Sequence, residues 1–428
     1  MKRNRPGRLQ EASCLVSSSL VFAAIFCALA VNARAQNEQV LYSFAPRTGA
    51  FPSAGLIIDA QGNLYGAASG GDQGAGHGAV FELSPAVGGV WSGTELTTFP
   101  HIGDGWNPYA GLVSDPSGIL FGTTSQGGAE STTCLQGCGV AFELAQVSKG
   151  EWSETVIHTF IGGIDGNSPR AGVILGSDGS VYGTTSYGGS SDFGIVFKLS
   201  FHGWKESILH TFTGGVDGGV PSASLVMDAS GNLYGTTYSG GNLNDCPKTA
   251  GCGVVFELSP SNGVWKETIL HTFTGGVDGA NPLSSLVLDE NGNLYGATYT
   301  AGDLSACSGA GCGTVFELSH NSQGWKTTVI RSFGGGADGA NPAAGLVFDS
   351  AGRLYGTTEQ GGIGNHGTVF ELSPSSGAWN LTLLHAFTAH PDGADPIGGL
   401  IFDTAGNLYG TTVDGGVDGS GAVFEITP

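Results

Sequence analysis

Six cysteines beyond residue 35 fall as three close pairs, Cys134 with Cys138, Cys246 with Cys252 and Cys307 with Cys312. Thiolates at such short spacing serve either a metal centre or a local disulfide. A structural zinc centre needs four ligands, yet each pair stands alone with no histidine at ligand spacing, so three local disulfides are expected. A second chemistry is offered by Asp-Gly steps that return along the chain at Asp104, Asp165, Asp217, Asp278, Asp338 and Asp392. Six carboxylates near one mouth of a channel could collect Ca²⁺, a hard cation that takes oxygen ligands. Asp-Gly is also a turn former whose side chain bonds local backbone. The turn is the preferred reading, with no cofactor expected and Ca²⁺ the one weak candidate.

Residues that recur in every unit of a repeat are rarely catalysts. The histidines His158, His210, His271 and His385 each stand two residues before a recurring Phe and are expected on outer strands, facing solvent. Glu82, Glu143, Glu257, Glu317, Glu371 and Glu425, replaced once by Lys198, are expected to pair across neighbouring strands or to face water. The better functional candidates are the residues that break the pattern in loops: Trp106, Tyr187, Tyr238, Tyr299, His77, His366 and Glu359. Flat aromatic groups of this kind suit a glycan or an extracellular protein, which makes a binding or scaffold module the leading expectation. Glu359, His366 or His77 could instead act as acid or base in an extracellular enzyme on polysaccharide. No Gly-x-Ser-x-Gly elbow, paired-carboxylate motif, HExxH or phosphate loop occurs to select a reaction.

What must position these residues is a repeat. An apolar run ending in Asp, a short Gly-Asn turn and Leu-Tyr-Gly-Thr-Thr recur seven times, with the central aromatic at Tyr65, Phe121, Tyr182, Tyr234, Tyr295, Tyr355 and Tyr409. Spacings of 56, 61, 52, 61, 60 and 54 residues belong to propeller blades or solenoid coils. In the sixth unit, residues 344–349 and 353–358 read as a hairpin, strands A and B. A glycine-rich loop leads to strand C at residues 368–372, and a turn leads to strand D between Trp379 and Phe387. That Trp and Phe, eight residues apart, recur in six units.

The ends of the chain decide between ring and solenoid. The sequence stops after the C strand of unit seven, while residues 36–44 supply a spare D-type strand before unit one. A ring closes by letting that strand complete the last blade, which removes an exposed edge. The expected fold is therefore all-β, a seven-bladed β-propeller of four-stranded blades, with a β-solenoid as the alternative. The single domain spans residues 36–428, in units of about 45–94, 95–155, 156–207, 208–268, 269–328, 329–382 and 383–428, with 36–44 as closing strand. In such a ring the B to C loops and D to A connections emerge on one face, and all three cysteine pairs fall there.

The phrases Gly-Leu-Ile-Phe-Asp403-Thr-Ala-Gly-Asn-Leu-Tyr409-Gly-Thr-Thr and Gly-Thr-Val-Phe370-Glu-Leu resemble the Gloeo/Verruco (GloVer) tandem repeat of secreted bacterial proteins. The resemblance implies export and a repeat architecture, and it brings no established activity or catalytic residues. The A and B phrase is more loosely similar to that of NHL-type propellers.

Residues 1–35 read as a secretory signal peptide. Lys2, Arg3, Arg5 and Arg8 precede an apolar stretch at 15–31, and Ala33-Arg34-Ala35 offers a cleavage site. Its removal takes away five bases and one acid, moving the formal charge from −21 to −25. Such a surface disfavours nucleic acid and anionic lipid, since both need a basic face. The expected product is a secreted, extracellular or periplasmic monomer without membrane insertion, whose partner is a glycan or a protein.

Overall fold

The computed structural model describes residues 37–46, 49–70, 77–246 and 250–427. The expected signal peptide lies outside them. Among the described residues the chain forms seven four-stranded antiparallel sheets and a few 3₁₀ turns. Six blades are built from consecutive strands. In blade six these are A (Val347–Phe348), B (Leu354–Thr358), C (Thr368–Ser375) and D (Ala378–Ala386). Blade seven takes its A, B and C strands (Ile401–Phe402, Leu408–Thr412, Ala422–Thr427) from the C-terminus and its D strand (Asn37–Ser43) from the other end of the chain. The pairing runs from Asn37 opposite Thr427 to Ser43 opposite Ala422. The chain is thus a seven-bladed propeller closed by its N-terminal strand.

Each recurring residue has a packing reason. The middle residue of every B strand is glycine because the C-strand Phe opposite lays its ring over that position: a Cβ on Gly235 would stand 2.6 Å from Phe256 Cζ. The C-strand Phe in turn meets the Phe that ends strand D of the preceding blade. Seven such contacts circle the molecule, six edge to face and Phe333 with Phe370 tilted, from Phe44 with Phe81 at 5.0 Å to Phe387 with Phe424 at 5.1 Å. Edge-to-face geometry suits the ring quadrupoles and adds to the burial. The D-strand Trp reaches the B-strand aromatic of the preceding blade, and Trp91 with Tyr409 carries that contact across the closure.

The Asp at the end of strand A caps the A to B hairpin as expected. Asp59 accepts from the backbone of Gln61 and Asn63, from the Asn63 amide and from the Tyr65 hydroxyl, and the same set recurs at Asp228 and Asp403. The C-strand glutamates face the B-strand tyrosines, with Tyr355 donating to Glu371 at 3.0 Å. Blade three has exchanged both partners together. Gly176 stands where the Asp would be, and Lys198, in the Glu position, pairs with Asp178 at 2.8 Å and lies over the Tyr182 ring.

One expectation, that of the histidines, is corrected, and the preferred turn reading of the Asp-Gly steps agrees with the structure. The Asp-Gly carboxylates do not ring the channel mouth. Five of them turn back on their own connections, as Asp165 does toward the Ile161 N–H and Asp278 toward the Thr274 N–H, in agreement with the turn reading. The histidines before the recurring Phe are not solvated either. They stand at the blade junctions, half-buried, between the turn Asp of their own blade and the outer strand of the next. The residue two before Phe in one blade meets the residue six before Phe in the next: Thr97 bonds Glu154, His158 faces Glu206, His210 faces Glu267, and the Tyr42 ring fills the space over Gly93.

The first of these junctions gives a pH test. Burial, with Asp104 adding, pushes the Glu154 carboxyl up to about 7 from an ordinary 4.5. The folded chain then keeps a proton that the unfolded chain releases, so this group's contribution to stability is lost as pH rises from about 4.5 to 7. Glu154→Gln is expected to flatten that part of the melting-temperature profile, gaining on the wild type at pH 8 but not at pH 4.5. Parallel profiles would refute the assignment.

Candidate functional site

The seven D to A connections reach strand A through one backbone device. Phe51, Asn107, Ser168, Val220, Asn281, Asn341 and Asp395 all have left-handed φ between 54° and 64°, and each precedes a proline. The preceding residue is bridged to the end of strand B, as Trp106 is to Gln126 and Asn167 to Tyr187. This brings two positions per blade to the channel mouth: the residue after the proline and the residue that follows strand B. Below them strand A begins in small residues, Gly55, Gly111, Gly172, Ser224, Ser285, Gly345 and Gly399. A cavity of about 990 Å³ results on the loop-rich face.

Most mouth positions carry small or aliphatic side chains such as Ser53, Ser69, Ser125, Ser222 and Ala343. The exceptions gather on its wall: Tyr109 and Arg170 after their prolines, and Tyr238, Tyr299 and Glu359 after strand B. The Tyr299 hydroxyl is within hydrogen-bonding reach of the Glu359 carboxylate. Burial raises Glu359 above the usual carboxylate range, with Asp395 adding and the Tyr299 hydrogen bond opposing. Burial likewise raises the Tyr109 phenol, helped by Glu359 and opposed by Arg170. The Arg170 guanidinium lies 5.7 Å from the centre of the Tyr187 ring. Backbone carbonyls are fixed too: Asn281 donates to Tyr238 O and Asn341 to Tyr299 O, each at 2.9 Å. The cavity therefore offers three phenol groups, one cation and one carboxyl raised above the usual carboxylate range by burial.

The candidates named from sequence separate into three groups. Tyr238, Tyr299 and Glu359 line the cavity together. Tyr187 stands behind them as a platform for Arg170. Trp106 and His77 stack on each other at 3.8 Å beside blade two, and the shielded Trp106 Nε1 has no hydrogen-bond partner among the described residues. His366 sits beside Asp395, whose backbone N–H donates to His366 O and whose carboxyl is raised by burial and Asp414, with His366 opposing. Tyr109, Arg170, Asn107 and Asp395 were not singled out from sequence. The available signal was register: each sits at or next to a repeated Pro, at a position whose identity changes from unit to unit.

The three cysteine pairs are disulfide-bonded, with Cα atoms 5.1 to 5.5 Å apart. They also pack. Each lies against a glycine of the following D to A connection, Gly162, Gly275 or Gly335, and in blade three the Phe193 ring covers Gly214 in the same way. The cystines thus plug the long B to C loops onto the blade, where the shorter loop uses an aromatic ring.

The sequence model of the Gloeobacter/Verrucomicrobia repeat matches residues 131–326 and 248–428. The chain belongs to the Gloeobacter/Verrucomicrobia repeat family. Among functionally curated proteins none matches this Gloeobacter/Verrucomicrobia repeat protein. Solved structures similar to it include a gluconolactonase of Xanthomonas campestris, 13% identical, covering 94% of this chain and 92% of that one with a TM-score of 0.41. Another is the periplasmic gluconolactonase PpgL of Pseudomonas aeruginosa, 14% identical over 83% of this chain and 96% of that one, TM-score 0.49. PorZ, a surface component of the type-IX secretion system of Porphyromonas gingivalis, is 13% identical over 90% of this chain and 47% of that one, TM-score 0.49. Likeness at this level carries no activity or site residue over to the repeat protein.

Proposed function

We propose that the chain is an exported binding module that holds a glycan partner in the cavity of its loop-rich face. The supporting observation is the convergence of Tyr109, Arg170, Tyr238, Tyr299 and Glu359, from five successive blades, on a cavity otherwise lined mainly by small and aliphatic residues. Tyrosine rings stack on the apolar faces of sugars while their hydroxyls, the guanidinium and the carboxyl meet sugar hydroxyls. Left-handed, proline-anchored connections hold the wall in place without a ligand, which lowers the ordering entropy lost on binding. Export is supported by three formed disulfides, which belong to an oxidising compartment.

A second reading, hydrolysis of polysaccharide, is supported by the neighbouring Glu359 and Asp395, both raised by burial and the first also by the second. A carboxyl whose proton affinity is raised by burial is the kind of group that serves as a general acid. Retention and product release on a panel of neutral and acidic polysaccharides separate the two. The binding reading expects capture without turnover, weakened about tenfold or more by Tyr299→Ala. Product release that Glu359→Gln abolishes would replace binding with catalysis, and absence of both retention and release across the panel would refute the glycan reading.

A further inference from the structure

A second set of ionisable side chains lies away from the channel, at the outer rim where one blade meets the next. Between blades two and three, His158 Nε2 stands 3.4 Å from Asp165 Oδ1 and 3.7 Å from Glu206 Oε1. Between blades three and four, His210 Nε2 stands 3.7 Å from Asp217 Oδ2 and 3.4 Å from Glu267 Oε1. In each trio one ring nitrogen and two carboxylate oxygens lie within 4.8 Å of one another. The three groups come from an outer strand, the turn that follows it and the outer strand of the next blade.

Three observations point to a cation at their centre. The first is a comparison within the molecule. At the next junction the third position is Thr327, and there His271 closes onto Asp278 in a direct 3.1 Å hydrogen bond. At the one after, Arg331 supplies its own positive charge to Asp338 and the third position is Leu381. His158 and His210 stand further from their Asp, at 3.4 and 3.7 Å, and do so at two of the three junctions that carry a second carboxylate. The second observation is satisfaction: His158 Nε2, His210 Nε2, Glu206 Oε1 and Glu267 Oε1 are all shielded from solvent and have no hydrogen-bond partner among the described residues. Buried polar atoms are ordinarily satisfied, so these four leave room for a bound partner, as Glu38 Oε1 does at the closure. The third is size. A tetrahedral ion with ligand bonds of about 2.0–2.2 Å separates its ligands by about 3.3–3.6 Å; the His–carboxylate edges of each trio, 3.4 and 3.7 Å, lie at or slightly above that span. An imidazole nitrogen in the set favours a transition metal, whereas Ca²⁺ and Mg²⁺ take mostly oxygen.

We propose that each of these two trios binds one divalent transition-metal ion, Zn²⁺ fitting best, with three protein ligands and water in the fourth place. The ion joins adjacent blades by coordinating groups from both. At the closure, Glu38, His385 and Asp392 form a third trio, but His385 bonds Asp392 directly at 2.9 Å and that site is excluded from the proposal.

The test uses the chelator-stripped mature chain titrated with Zn²⁺ alone, and with Co²⁺ for its visible spectrum. Uptake of two equivalents is expected, with a melting temperature that rises with free Zn²⁺ and Co²⁺ bands of a four-coordinate site. Glu206→Gln and Glu267→Gln are each expected to remove one equivalent, and Glu154→Gln neither. Gln keeps the shape of the side chain; should either variant fail to fold, His158→Asn and His210→Asn replace them. The proposal is overturned by no uptake, by uptake that survives the double Gln variant, or by Ca²⁺ displacing Zn²⁺ at equal concentration.

Discussion

A chain that begins at Ala45 instead of Gln36 is expected to lose cooperative folding. Residues 37–43 form the whole outer strand of blade seven, and their removal leaves the edge of Ala422–Thr427 without a partner. Leu41 and Phe44 are both buried, Phe44 at 1% exposure, and each contributes about 1.5–3 kcal/mol through burial alone. Phe44 also carries the edge-to-face contact with Phe81 by which blade seven meets blade one. Together with six registered residue pairs this loss approaches the total stability of an ordinary domain, about 5–15 kcal/mol. The freed edge also becomes a template for association between chains. Calorimetry and light scattering on the two chains check both effects, and a synthetic peptide of residues 36–46 added in trans should restore the transition. A truncated chain that melts within a few degrees of the intact one would show that closure contributes little.

The other large effect is expected in the ring of phenylalanines. Phe256 is fully buried, lies over Gly235 and meets Phe212 at a centroid distance of 5.2 Å. Phe256→Ala is expected to destabilise by about 3–5 kcal/mol, from lost transfer free energy and the cavity left behind. Gly235→Ala alone should also destabilise, because its Cβ would stand 2.6 Å from Phe256 Cζ and 2.9 Å from Leu225 Cδ2 in a core with no slack. In the double variant the added methyl enters space the ring has vacated. The two losses should therefore sum to more than the loss of the double variant, by over about 0.5 kcal/mol in denaturant melts. Strict additivity would mean that the glycine is there for the backbone and not for the ring.

Much of this architecture was legible because it rests on short-range pattern. Tyr-Gly-Thr-Thr marks strand B, Asp plus Gly-Asn marks the hairpin, and the displaced strand at 36–44 announces the closure. The candidate site was legible only in half. Tyr238, Tyr299 and Glu359 stand out because they replace serine after a conspicuous motif, whereas Tyr109 and Arg170 follow prolines in connections that read as plain turns. Nothing local shows that the residue after each proline faces the axis; that depends on the left-handed residue before it and on strand A being only two residues long. The junction histidines were misread for a related cause. Their partners, Glu206 and Glu267, lie a whole unit further along the chain, and single-residue periodicity makes a half-buried bridge look like a solvated face.

Those junctions bear on how near-identical blades find their proper order. Backbone pairing and the aromatic ring contacts are almost interchangeable from blade to blade, so they cannot tell one neighbour from another. The pairs at the rim can. Threonine meets glutamate at one boundary, histidine meets glutamate at the next two, and a tyrosine ring meets a bare glycine at another. A repeat copied elsewhere in the ring would carry one half of two such pairs into mismatched company, setting Tyr42 against Glu154 or leaving Glu267 opposite a threonine. The rim is in effect an address label, and it constrains which duplications of a unit can persist without further change.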